Sequence, residues 1–327
     1  MIKVHCLMSC LCEIIKRNSE VDHRPYYFGI WDSGFSVKED GTITYYADGH
    51  RHDYFLAWYQ KFFGLRVHEW YDPGRSKQQN LDMFLQLIAE RPDHRHLIVQ
   101  IDMSVLPERE NKFYQKPFPH YLVLSETSDP EEWFMFDPDF RWEGNIRKER
   151  VIEAIIQNPF GGGFYVDALN IQAPAADTIQ RYFHAGFHED NNPLTSRIRE
   201  TILQIASGQS GATLAMLMPA LKQIHILAIR KYSYDYALMV FRDALGYPEE
   251  LYEYWAQQIR DLVQAFNTIQ YIAAKVSIKG DPGLVAGLLE SVDKADRIEF
   301  DLKKEIGRQF AQWWDSSRKE QSSAATS

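Results

Sequence analysis

The stretch HYLVLSETSDPEEWFMFDPD, residues 120–139, decides the fold. It contains two short apolar runs, HYLVLSE (120–126) and WFMFDP (133–138), rich in β-branched and aromatic side chains. Charged or turn-forming segments bound both. They read as neighbouring strands of one sheet, with HLIVQID (96–102) before them and GGGFYVDAL (161–169) after. Upstream, apolar residues at helical spacing mark CLMSCLCEIIKR (6–17), DYFLAWYQKFF (53–63) and QNLDMFLQLIAE (79–90). The first of these is apolar on most faces, so it reads as a buried helix. Between them lie the Gly- and aromatic-rich YYFGIWDSGFSV (26–37) and the alternating, strand-like TITYYA (42–47). A helix followed by an antiparallel sheet is the α+β pattern.

The period then changes. Pro, Asn, Asp and Ala concentrate in IQAPAADTIQ (171–180) and HEDNNPL (188–194), which predicts a linker over 171–194. From 195 to 327 the chain reads as helical, including one run over 213–232, with Gly208, Gly211, Gly246 and Gly280 as stops. The expected layout is a catalytic domain over 1–170, the linker, and an all-α domain over 195–327 with a frayed polar tail from about residue 318.

A formal charge of −9, from 45 acidic and 36 basic residues, weighs against nucleic-acid binding and suits a cationic substrate. The three cysteines, Cys6, Cys10 and Cys12, are too crowded to cross-link 327 residues, which predicts a reducing compartment. With no signal-peptide pattern or long apolar span, the expectation is a cytoplasmic protein without a membrane segment. Nothing in the sequence sets the oligomeric state; a dimer is one option.

Catalytic chemistry is legible in three residues. Cys6 opens the first helix, where partial positive charge and free N–H groups favour a thiolate. His120 starts a strand after KPFP, and Asp137 ends the next run, seventeen residues on. Antiparallel neighbours bring the start of one strand beside the end of the other, which gives the thiol a base and the base an orienting carboxylate. Asp139 is the alternative carboxylate. Cys10 and Cys12 read as buried helix residues, and the Cys-x3-Cys-x-Cys spacing does not match a zinc site.

The segments HCLMSCLCEII and FGIWDSGF resemble the opening of the butirosin-biosynthesis acyltransferase family, and HYLVL with FDPDF resembles the His and Asp elements of papain-like C39 peptidases. Length, two-part layout and the first residues are closer still to the petrobactin siderophore condensing-enzyme family. The resemblance covers residues 1–170 by motif and the helical half by length and character. It implies a papain-like catalytic domain and acyl transfer from an aryl carrier protein thioester to an amine. The group moved would be 3,4-dihydroxybenzoyl, and the acceptor spermidine or a spermidine–citrate conjugate. Cys6 would carry the acyl group, His120 would move the proton and Asp137 would hold His120. The chain would need no cofactor of its own, because the carrier protein supplies the phosphopantetheine. One departure is that no Gln stands upstream of Cys6 to complete an oxyanion hole; His5, a backbone amide or a group from elsewhere would substitute.

Two other classes use the same residues: a cysteine peptidase or amidase, and a carrier-binding scaffold without catalysis. Polyamine recognition calls for acids beside aromatic faces. Trp31 and Asp32, Tyr234 and Asp235, and Trp255 are the candidate acceptor residues, with His5 beside the thiol. Arg147, Lys148 and Arg150 form the densest basic group for an acidic carrier.

Overall fold

The computed structural model describes residues 5–45, 52–110, 116–208 and 211–324, with side chains as far as residue 319. Residues 46 and 47 of the expected strand TITYYA and the last three residues of the tail lie outside the described residues. In chain order the elements are α1 (Cys6–Asn18), β1 (Ser36–Val37), β2 (Ile43–Thr44), α2 (Asp53–Phe63), β3 (Val67–Glu69), α3 (Lys77–Ala89), β4 (Arg95–Asp102), β5 (Pro119–Glu126), β6 (Glu132–Asp137), β7 (Trp142–Arg147), α4 (Lys148–Gln157) and β8 (Gly163–Asp167). Helices follow: α5 (Ala176–Gly186), α6 (Pro193–Ala206), α7 (Leu217–Ala220), α8 (Ile224–Ile229), α9 (Ser233–Leu245), α10 (Glu249–Lys279) and α11 (Val285–Ala324).

The chain forms two units. One holds residues 1–23 and 52–175; the other holds 24–51 and 176–327. The first is a mixed helix and sheet unit built on six antiparallel strands in the order β3-β8-β4-β5-β6-β7. Strand alternation assigns its two faces. Leu122, Leu124, Trp133 and Met135 point into a core with Phe84 of α3 and Val151 of α4. Val123, Ser125, Phe134 and Phe136 occupy the opposite face, with Cys10 and Ile14 of α1. Val123 pairs with Phe136, and continuing that register sets Asp137 opposite Leu122, two residues from His120 and on its face.

The second unit is helical apart from the two-stranded β1–β2 ribbon. Its helices α10 and α11 pack along one another. At its centre is a buried charged cluster. Lys231 pairs with Asp32 Oδ1 at 2.9 Å and with Glu299, while Lys303 reaches Asp32 Oδ2 at 2.6 Å. Glu299 and Lys303 stand one turn apart on α11, so one helix face supplies both an acid and a base.

Several expectations are corrected. The linker contains α5, whose Ile179, Tyr182 and Phe183 are buried at helical spacing. The described residues 24–45 group with the helical unit rather than with the rest of residues 1–170. The expected run over 213–232 is broken into α7, α8 and short 3-10 turns, with Pro219 inside α7. Helix α11 continues to Ala324, past the expected start of fraying. The four expected glycine stops, Gly208, Gly211, Gly246 and Gly280, all take left-handed φ values between 63° and 77°. Among the described residues no helix is long and apolar enough to cross a membrane.

Candidate active site

Helix α1 begins at Cys6, after an extended His5 that makes no side-chain cap. The first N–H groups of a helix have no partner within it, so an uncapped start leaves them to whatever lies beside it. The positive end of the helix dipole falls on the same spot, and Lys16 and Arg17 complement its other end. Cys6 is partly exposed, whereas Cys10 and Cys12 are buried. The Cys10 thiol donates to the Tyr121 carbonyl at 3.6 Å and the Cys12 thiol to that of His23 at 3.9 Å. Burial, then the neighbouring Cys6 and Asp137, push the Cys10 pKa well up, so Cys10 stays a thiol.

His120 is fixed by its strand. Asp102, buried at the end of β4, accepts from the backbone N–H groups of Ser104 and Phe118, each at 2.9 Å, and pins the start of β5. The His120 ring then meets Asp137 with Nε2 at 2.9 Å from Oδ1. Cys6 lies near enough to the ring to favour its protonated form. With Nε2 engaged by the carboxylate, Nδ1 is the nitrogen left for sulfur, which is the tautomer that can accept a thiol proton. Burial alone would lower the His120 pKa, but the Asp137 carboxylate outweighs it and, with Cys6, holds the imidazole well above its ordinary value.

Asp137 is fully buried and triply held. Besides His120, it accepts from Arg109 Nη2 at 2.9 Å and from the Phe140 N–H at 3.2 Å. Burial opposes its charge, yet His120, Arg109 and the Phe140 amide keep its pKa below the usual carboxylate range. The guanidinium of Arg109, itself buried, lies 4.9 Å from the Trp142 ring centre. Asp139, the alternative carboxylate, instead accepts from Ser9 Oγ at 3.0 Å.

Sequence reasoning missed two residues here. Arg109 sits in the polar loop VLPEREN and carried no signal beyond a charged residue between strands. His52 lies edge-on to His5 at 5.6 Å between ring centres and also meets Tyr121 at 5.9 Å. His5 therefore stands in a cluster of rings directly before the thiol.

The candidate acceptor residues all fall in the helical unit. Trp31 stacks on Tyr234 at 4.8 Å, and both are buried. Both Asp32 oxygens face lysines, so its charge is already neutralised and a polyamine finds no free carboxylate there. Asp235 accepts from the Tyr252 hydroxyl at 3.0 Å, and burial raises its pKa. Trp255 is half-buried on α10 beside the exposed Tyr254. The expected basic group divides: Arg147 ends β7, while Lys148 and Arg150 begin α4. Among the described residues no three His, Cys, Asp or Glu side chains converge as metal ligands do.

Fold and site together define a class: a two-unit protein whose mixed unit sets a helix-borne thiol against a buried His–Asp pair. The chain belongs to the DUF6005 family, with residues 1–171 matching its N-terminal domain and residues 177–327 its C-terminal domain. It is similar to the petrobactin synthase of Bacillus anthracis, with 48% identity over 312 residues, 95% of either chain.

Proposed function

We propose that this chain is an amide-forming acyltransferase of petrobactin biosynthesis that works through an acyl-Cys6 intermediate. The observation that carries the reading is Cys6 at the start of α1 beside the buried His120–Asp137 pair. The name of the petrobactin synthase relative supplies the pathway.

His120 Nδ1 takes the Cys6 proton as sulfur attacks the carbonyl of an aryl carrier protein thioester. Negative charge develops on the carbonyl oxygen, where the backbone N–H groups opening α1 donate to it. The tetrahedral adduct expels the phosphopantetheine thiol, which leaves with the proton from His120. A primary amine of spermidine, or of a spermidine–citrate conjugate, then attacks acyl-Cys6. His120 accepts its proton and returns it to the departing Cys6 sulfur, leaving a 3,4-dihydroxybenzoyl amide. Asp137 holds the imidazole in one tautomer and stabilises its charge at both steps. The N-terminal arrangement is papain-like in this sense.

The test is intact-mass analysis after incubation with 3,4-dihydroxybenzoyl carrier protein. The expected result is one acyl group on Cys6, none on Cys6→Ala, and transfer to spermidine as amide. Release of free acid only, or peptide cleavage without amide product, rejects acyl transfer in favour of a hydrolase. Unchanged amide formation by Cys6→Ala rejects the thiol mechanism.

A further inference from the structure

One turn along α1 from the thiol, the sheet face opposite the main core leaves a half-open cavity of about 230 Å³. Its apolar walls are Ile14, Val123, Phe134 and Phe136. Cys10 contributes to the wall, but Cys6 does not. The four sheet residues on this face are only partly buried, whereas Leu122, Leu124, Trp133 and Met135 on the other face are fully buried. The cavity is therefore unfilled space under α1 rather than a gap in the core.

Its charged rim is unbalanced. Glu13 is held by Lys16 and Arg17, and Arg17 also reaches Glu143 at 3.2 Å. Arg91 contributes a full positive charge, yet its hydrogen bonds go to the backbone carbonyls of Asp93 and Arg95, and among the described residues it has no carboxylate partner. Burial, then Arg91 and Arg17, pull the His96 pKa down to about 4, so the imidazole is neutral and available as a hydrogen-bond group. Its Nε2 is 3.1 Å from the Asn18 amide nitrogen, which makes Nε2 the acceptor and leaves Nδ1–H as a donor.

We propose that this cavity binds a small aromatic monocarboxylate, with the ring between Ile14, Phe134 and Phe136 and the carboxylate on Arg91. Size sets one ring, since a dry cavity of about 150 Å³ already accepts benzene. Aromatic rather than aliphatic character follows from the two phenyl walls and from Arg17, whose guanidinium lies 3.7 Å from the Phe136 ring centre and presents a flat cation to a second ring. One carboxylate matches Arg91, which among the described residues has no acidic partner. The site is separate from the Cys6 thiol and does not depend on the acyltransferase reading.

The experiment is calorimetric titration of the full-length chain with benzoate, benzamide and cyclohexanecarboxylate, repeated on Cys6→Ala and on Arg91→Gln. Benzoate is expected to bind saturably at one site, with benzamide at least tenfold weaker for want of the charge. Cyclohexanecarboxylate is expected to be weaker as well. Cys6→Ala is expected to bind benzoate as the parent does, and Arg91→Gln at least tenfold more weakly. Equal binding of benzoate and benzamide overturns the assignment without any variant. So does loss of benzoate binding in Cys6→Ala, which places the ligand at the thiol.

Discussion

Replacing Asp137 by Asn probes the site at its most constrained atom. The two carboxylate oxygens serve three donors: His120 Nε2–H and the Phe140 N–H at Oδ1, and Arg109 at Oδ2. An amide has only one acceptor oxygen. If that oxygen faces His120, the NH2 group confronts Arg109, donor against donor. If it faces Arg109, the NH2 group confronts His120 and the Phe140 amide and imposes the wrong imidazole tautomer. Either way Arg109 is left buried without a counter-charge, a loss of about 3–5 kcal/mol, which lowers the melting temperature on the order of 10 °C. Turnover should fall roughly 10³–10⁴-fold. The pH dependence carries the signature. Asp137 titrates below its ordinary range in the folded chain, so its contribution is present above about pH 3.9 and is lost as pH falls through the folded value. His120 titrates above its ordinary range, so its contribution is complete below about pH 6.5 and is lost as pH rises through the folded value. Both are present together between about pH 4 and 6.5. The melting-temperature gap between parent and Asp137→Asn should therefore be widest near pH 5–6 and narrow on the alkaline side. Alkylation of Cys6 by iodoacetamide at pH 6 should slow at least tenfold in the variant. A gap that is flat with pH, or an unchanged alkylation profile, refutes the reasoning.

Arg109→Gln removes a cation beside the Asp137–His120 pair; the acidic limb of the rate profile should move to higher pH, kcat should fall about tenfold with KM unchanged, and Arg109→Lys should recover part of the loss. An unshifted pH profile would leave Arg109 with a packing role only. Cys10→Ala should keep amide formation within about twofold of the parent while Cys6→Ala abolishes it, as measured by product formation from acyl carrier protein. In the helical unit, Lys303→Met leaves Asp32 Oδ2 buried without its cation and should cost about 3–5 kcal/mol in denaturant unfolding. The double variant Asp32→Asn/Lys303→Met should recover part of that loss, and strict additivity of the two single changes would argue against the pairing.

The sheet was legible because burial imposes strand chemistry. HLIVQID, HYLVLSE, WFMFDP and GFYVD lie deep in the unit and so must be short, apolar and β-branched or aromatic. Strands β3 and β7 were not legible: they are the two edges, and WEGNIR alternates half-exposed with exposed residues until Ile146. The pairing of His120 with Asp137 followed from strand order alone, since adjacent antiparallel runs leave few registers that bury both. Arg109 could not be read in the same way. It comes from a loop, and only the fold brings it 2.9 Å from Asp137. Asp32 and Trp31 misled for a related reason. An acid beside an aromatic looks like a cation site, but the two lysines that neutralise Asp32 come from positions 231 and 303, about 200 residues or more along the chain. Helix α5 was hidden by Pro174 and Asp177 near its start, although its buried side chains kept helical spacing.

Residues 24–51 leave the mixed unit directly after α1 and belong with helices that begin at residue 176. This detour orders biosynthesis. When a ribosome has delivered the six strands, Phe28 and Trp31 still lack Phe183, Tyr234 and Phe241, the rings they meet in the finished chain. Residues 28–31, which follow α1, thus lack their ring partners until the last third of the polypeptide is made. A gene cut at residue 171 would yield all six strands together with Phe28 and Trp31 stripped of those ring partners.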